Sequence, residues 1–187
     1  QQDMLDQLVQ VSVLEAGRLT PAPQPVALDA VLDNVVALCA AEAAGKGLVL
    51  RSVRTSLRVR SDPALLTRIL LNLVSNAVRH TRQGRVLVGC RHGENALRIE
   101  VWDTGPGIPP DQVDAVFDDF HRIAANGGGG LGLGLAIVRR TADLLGLAVT
   151  VRSHFGRGAC FTVSIPWASV LEPEVETTCP TIRTMIA

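Results

Sequence analysis

The sequence predicts an α+β fold, a two-layer sandwich with three helices on one face of a mixed, mostly antiparallel sheet. Three observations lead there. Apolar residues recur at helical spacing in three stretches of the main region, beginning near Leu28, Pro63 and Leu135. About six short segments read as strands. Those segments follow one another largely across hairpin turns, which favours helices gathered on one face of the sheet. A chain of 187 residues that is 47% hydrophobic and 19% charged can build one compact domain with an appendage, which excludes disorder along its whole length.

The elements follow in order. Met4, Leu5, Leu8, Val11 and Leu14 form an apolar stripe on a short helix that Gly17 would end, and a helix so short needs a partner surface. Residues 1–18 are therefore assigned to a helix, and the Pro-rich residues 19–25 to a linker. The main domain is expected over 26–166. It opens with a helix carrying Leu28, Val31, Leu32, Val35, Leu38 and Cys39 that ends near Gly45 and Gly47, followed by strands over 48–53 and 57–60. Asp62 is a helix cap with Pro63 behind it, and Leu66, Ile69, Leu70, Leu73, Val74 and Ala77 give the next helix a strong apolar face. Segments 85–90 and 96–102 read as a hairpin across His92-Gly93-Glu94-Asn95. The irregular stretch 103–130 is too long for a passive connection and reads as a binding loop or lid. The last helix carries Leu135, Val138, Ala142 and Leu145 and stops at Gly146, and strands follow over 148–153 and 160–165. Residues 167–187 show no periodicity and read as a tail or linker.

Composition narrows the function. Eighteen basic residues balance eighteen acidic ones with no basic block, so the chain has no electrostatic footprint for nucleic acid or an anionic membrane. Four scattered cysteines without a CxxC pair argue against a zinc site or a disulfide framework and for a reducing, cytoplasmic setting. No apolar run reaches the length of a bilayer span, and no signal peptide opens the chain; it starts at Gln1 rather than Met, as a piece of a longer protein would.

Three segments carry candidate chemistry. Asp103 ends a strand and is followed by Thr104-Gly105-Pro106-Gly107; the carboxylate could accept hydrogen bonds from a buried ligand or simply form a turn. The run 127–135, rich in glycine, leads into a helix and could cradle phosphate with its backbone amides or act as a hinge. It is neither a Walker A loop, since GKS/GKT is missing, nor a dinucleotide-binding turn, since no strand immediately precedes it. On the helix from Pro63, Arg68, Asn72, Asn76 and Arg79 form one polar stripe, either solvated or suited to the hard oxygen shell of Mg2+.

Taken together, these segments resemble the sensor histidine kinases. Leu71-Asn72-Leu73-Val74-Ser75-Asn76-Ala77-Val78-Arg79-His80-Thr81 resembles their N box, Asp103-Thr104-Gly105-Pro106-Gly107-Ile108 the G1 box, Phe117-Asp118-Asp119-Phe120-His121-Arg122 the F box and 130–135 the G2 box, in the right order over about 26–166. The resemblance implies the GHKL ATP-binding sandwich. It makes Asn76 the Mg2+ ligand and catalytic residue, and Asp103 the acceptor of the adenine amino group. It makes Gly105 and Gly107 close-approach glycines, sets Gly132, Leu133 and Gly134 along the triphosphate, and puts Asn72 and Arg79 near the phosphates. Phe117 and Phe120 would anchor a short lid over 123–129, or pack in the core. Val11-Ser12-Val13-Leu14-Glu15-Ala16-Gly17-Arg18-Leu19 resembles the end of the dimerisation hairpin, whose phosphoacceptor helix is not in this sequence; His80, His92, His121 and His154 lack the phosphoacceptor motif. Ala159 departs from the family, where Thr or Ser is common.

The function so implied is transfer of the ATP γ-phosphate to a histidine of the dimerisation domain and onward to a response-regulator receiver domain, within a homodimer. The alternatives are a GHKL ATP hydrolase and a non-catalytic nucleotide-dependent signalling module. Hydrolysing relatives typically carry Glu one turn before the Mg2+ Asn, where this sequence has Asn72.

Overall fold

The computed structural model describes residues 19–118 and 132–171. The expected N-terminal helix, Phe120, the 123–129 lid and residues 172–187 of the expected tail lie outside them. The described chain runs β1 (Gln24–Ala27), α1 (Leu28–Gly45), β2 (Val49–Ser52), β3 (Arg58–Ser61), α2 (Pro63–His80), β4 (Arg85–His92), β5 (Ala96–Asp103), α3 (Gly134–Leu144), β6 (Ala148–His154), β7 (Gly158–Pro166) and β8 (Val170–Leu171). No helix among the described residues is long and apolar enough to cross a membrane.

The helices form where the apolar spacing requires. Asp62 caps α2, accepting from the amides of Ala64 (2.9 Å) and Leu65 (3.0 Å), with Pro63 in the first turn. Leu66, Ile69, Leu70, Leu73 and Val74 are then completely buried, and burial of each such side chain contributes about 1.5–3 kcal/mol. α2 lies centrally, packed between α1 and α3 and against β5. On α1 the buried stripe is Leu28, Val31, Leu32, Val35, Cys39 and Ala43. Leu38 was expected on that stripe but is 60% exposed, because its position falls at the stripe's margin beside Val31.

The strands divide into two sheets. The larger has the order β2-β4-β5-β7-β6, with β2 parallel to β4 and every other pair antiparallel. Its inner face, Val86, Val88, Leu97, Ile99, Val101, Phe161, Val163 and Ile165, meets the helices. The smaller sheet has the order β1-β3-β8. Periodicity misses β1 and β8: β1 contains Pro25, assigned to the linker, and β8 has two residues after Pro166, assigned to the tail. Neither strand is long enough to show alternation, and both are fixed by pairing with β3.

Candidate functional site

Central strand β5 delivers Asp103 to the edge of the helical layer. Its Oδ1 accepts from the Gly105 amide at 2.8 Å and from the Ala159 amide at 3.4 Å. Burial pushes its carboxyl above the ordinary value, while these two amides pull it back; the net direction is upward. A carboxylate kept half-buried with little compensation is poised to take a donor from a ligand.

The loop after Asp103 is held by the β6–β7 turn. Gly156 donates to the Pro106 carbonyl at 2.6 Å, and Ile108 donates to Ser153 Oγ at 2.7 Å, which itself donates to the Gly158 carbonyl at 3.1 Å. Two glycines make this contact possible. Gly107 has φ +68° and turns its bare side to the His154 carbonyl, and Gly158 has φ +111° and turns its own to the Asp103 carbonyl. Gly107 was expected to admit a ligand; here its missing side chain admits the β6–β7 turn. Gly105 opens instead towards Asp103 Oδ1 and Thr81 Oγ1.

The expected polar stripe lies on α2. Asn72 Nδ2 donates to the Arg68 carbonyl at 3.0 Å, and its Oδ1 lies 3.6 Å from where a side chain on Gly134 would begin. Asn76 is half-buried, and its amide makes no hydrogen bond among the described residues. Arg79 is exposed. Gly132 has φ +73°, Leu133 is buried, and α3 begins at Gly134 with no side-chain cap, so its first amides are left to other partners. Since Leu133 points its side chain into the core, only its backbone can face a ligand. α2 thus meets the α3 N-terminus near Asn72 and the Asp103 loop at Thr81, nine residues or about 13 Å further along its axis. Phe117 takes the packing role, edge-on to Phe161 (6.2 Å) and beneath the Arg139 guanidinium (5.3 Å). Among the described residues, no three His, Cys, Asp or Glu side chains group to hold a metal.

Several participants escaped sequence reasoning. Lys46 Nζ donates to the carbonyls of Val78 (2.9 Å) and Arg79 (2.8 Å), closing the end of α2 from α1. Burial, with Arg79 and Lys46 adding to it, holds the His80 imidazole below its ordinary value. Neutral His80 therefore favours the fold above the unfolded imidazole value, and stability is lost as pH falls through the window below it, where the unfolded chain takes up a proton first. Thermal unfolding between pH 7.5 and 5 should show this decline, well under the ~1.4 kcal/mol per pH unit of one fully linked proton. His80→Gln should flatten it, and an unchanged slope would assign it to other groups. Ser153 carries no motif signal of its own, and for Gly158 only the glycines of Gly156-Arg157-Gly158 hint at a tight turn.

Three helices thus lie over one face of a mixed sheet, with a half-buried carboxylate at a central strand end beside an asparagine-bearing helix. The family described as "Histidine kinase-, DNA gyrase B-, and HSP90-like ATPase" matches residues 61–169. The chain is 35% identical over 178 residues to the aerobic respiration control sensor protein ArcB of Escherichia coli (strain K12), covering 91% of this chain and 23% of ArcB. It is similar to full-length ShkA, solved in complex with AMPPNP, with TM-score 0.81 and 31% identity over 91% of this chain and 36% of that one. It also matches the nucleotide-free catalytic domain of the histidine kinase ThkA, with TM-score 0.66 and 25% identity over 78% of this chain and 95% of that one. The chain belongs to the histidine kinase-, DNA gyrase B- and HSP90-like ATPase family, and it spans about a quarter of ArcB's length.

Proposed function

We propose that this chain is the ATP-binding catalytic domain of a two-component sensor histidine kinase, cytoplasmic and working in a homodimer. The observation that carries the reading is the half-buried Asp103 carboxylate at one end of α2, with the uncapped start of α3 near the middle of the same helix. A nucleoside triphosphate laid along α2 would put its adenine amino group at Asp103. Its phosphates would lie at the α3 amides, with Asn72, Arg79 and the backbone of Gly132, Leu133 and Gly134 around them. The AMPPNP complex of ShkA supports a nucleotide of this kind. The amide oxygen of Asn76 fits one position of an Mg2+ shell completed by phosphate and water, in keeping with a surrounding that offers no carboxylate cluster among the described residues. Mg2+, when bound, neutralises phosphate charge.

The reaction is attack by an imidazole nitrogen of the dimerisation domain on the γ-phosphorus. The bond to the β–γ bridging oxygen breaks, ADP leaves, and the phosphoryl group passes on to a response-regulator aspartate. The chain's own residues position the triphosphate and stabilise its charge. Hydrolysis is disfavoured because Asn72, one turn before Asn76, cannot take a proton from water, and its amide is already bonded to the Arg68 carbonyl.

The test supplies the separately purified dimerisation domain of the full-length protein together with this chain and Mg-ATP labelled at the γ-phosphate. Label should appear on the supplied histidine, and none on this chain alone. Asn76→Ala should lower Mg-ATP affinity and transfer by tenfold or more, the scale of about 1.5–3 kcal/mol for a lost contact to a charged group, while adenosine binding changes little. Equal losses for adenosine and Mg-ATP would make Asn76 a support of the fold instead.

A further inference from the structure

The helices cover one face of the five-stranded sheet, and the opposite face gathers arginines that the sequence scatters. The register sets Arg51, Leu87, Trp102, Cys160 and Arg152 in one row across β2, β4, β5, β7 and β6. Side chains two residues apart on a strand share a face, so Arg85 and Arg91 flank that row on β4, and Glu100 and Arg98 follow Trp102 on β5. Five arginines thus stand against one glutamate on this face of a chain whose formal net charge is zero. The Glu100 side chain is only 3% exposed, with its carboxylate 3.6 Å from Arg91 Nε, 3.6 Å from Arg98 Nε and 3.7 Å from a terminal nitrogen of Arg152. One carboxylate cannot neutralise three guanidiniums, and each distance exceeds the about 2.7–2.9 Å of a charge-assisted hydrogen bond. Arg51 and Arg85 form no ion pair among the described residues. Amid these charges Trp102 is 44% exposed, its indole Nε1 bonded to Glu100 Oε2 at 3.0 Å and its ring 5.9 Å from the Arg152 guanidinium. Val53 is exposed beside Gly89.

We propose that this face is a docking surface for an extended, acidic protein segment: its carboxylates pair with Arg91 and Arg152, and its apolar side chains lie on Trp102 and Val53. Charge complementarity selects the occupant. The excess of guanidiniums calls for carboxylates, and Glu100 already shows how one fits among them. Tryptophan and arginine together are also the residues that anchor protein interfaces. Size selects its form. Four strand spacings and the six-residue step from Arg85 to Arg91 give a patch of roughly 19 by 20 Å. That is about half of what each partner contributes to a standard interface, and it matches an extended segment of about six residues better than a folded domain. A nucleic acid duplex would gain nothing from Val53. A bilayer rewards apolar side chains that protrude, whereas the Trp102 indole is bonded down onto the sheet. Strand alternation sends Asp103 to the helical side, so the surface lies behind the nucleotide site and does not share its residues.

The experiment titrates the full chain by calorimetry with a peptide of alternating Glu and Val, and with a Glu-Gly peptide of the same length and charge. Duplex DNA and phosphatidylserine vesicles are titrated beside them. The Glu-Val peptide should bind at low salt, weaken as salt is added, and bind several-fold more tightly than the Glu-Gly peptide. Arg91 and Arg152 are 70% and 64% exposed, so replacing both by Gln leaves the fold intact. That double variant should lose roughly fivefold or more in Glu-Val affinity while binding Mg-ATP as the parent does. Arg60→Gln, an exposed arginine on the small sheet, should change neither. Glu100→Gln should tighten the peptide, because it removes the carboxylate that competes for the same guanidiniums. Absence of Glu-Val binding at low salt, equal affinity for the two peptides, or an equal loss in Arg60→Gln would overturn the proposal. Tighter binding of the duplex or the vesicles, abolished in the double variant, would assign the face to nucleic acid or lipid instead. Self-association of the parent that the double variant lacks would assign it to a second copy of the chain, and likewise overturn the proposal.

Discussion

Asp103→Asn should weaken ATP binding by roughly tenfold to 150-fold, corresponding to about 1.5–3 kcal/mol for a hydrogen bond to a charged group, and leave the protein folded. The parent should prefer ATP to GTP, because guanine sets a carbonyl against the carboxylate where adenine sets an amino group, and two acceptors cannot bond. The stability side has the opposite sign. Burial raises the Asp103 carboxyl above its ordinary value, so its contribution to the fold is full below that value and is lost as pH rises through the raised one. At neutral pH the ionised group is a cost, and the amide of Asn removes the charge that burial penalises. The variant should therefore melt no lower than the parent at pH 7, while losing the nucleotide. Titrating both nucleotides against both proteins, with melting curves beside them, checks the two signs together. Unchanged ATP affinity in the folded variant would return Asp103 to the role of a turn residue.

Gly158→Ala should be among the most damaging single methyl additions in the chain. The residue sits at φ +111°, where an L side chain is strained, and its side-chain carbon would fall on the Asp103 carbonyl, with Thr104 Cα only 3.1 Å away. Backbone strain of about 1–3 kcal/mol and overpacking of about 1–3 kcal/mol add to a loss of roughly 2–6 kcal/mol, which lowers Tm by about 5–20 °C. Because the displaced atom belongs to Asp103, ATP affinity should fall as well. Gly146→Ala is the control: at φ +67° it bears the strain, but nothing lies within 4 Å of the new methyl group. Near-equal melting of the two variants would show that the β6–β7 turn yields freely, and that the base loop is not held by it.

The sequence discloses what is periodic or local. The eleven-residue stretch from Leu71 to Thr81, the Asp103-Gly105-Gly107 run and the Asp62-Pro63 start each announce themselves through spacing or residue type, and three helices and six strands follow from the same signals. What stays hidden is set by contacts between distant segments. Gly158 is constrained by Asp103, 55 residues away in the chain, and nothing in its own neighbourhood says so. β8 exists because β3 is beside it. Leu38 fits a helical pattern as well as Val35 does, yet the turn of α1 leaves it in water. Lys46 acts through a hydrogen-bond register between elements, which no one-dimensional pattern encodes.

The small sheet has a mechanical consequence. β1 and β8 both lie against β3, so the segments before Gln24 and after Leu171 reach the fold along one four-residue strand. The incoming segment is also tied at Ala22, whose amide donates at 2.9 Å to the Asp62 carboxylate that starts α2. A pull or twist delivered through either segment is therefore felt first at the foot of the helix that bears Asn72 and Asn76. The five-stranded sheet, with Asp103 at the end of its central strand, is carried along as ballast. Leverage applied at that corner can swing the whole body, or tilt α2 within it, without prying apart the pocket at the other end.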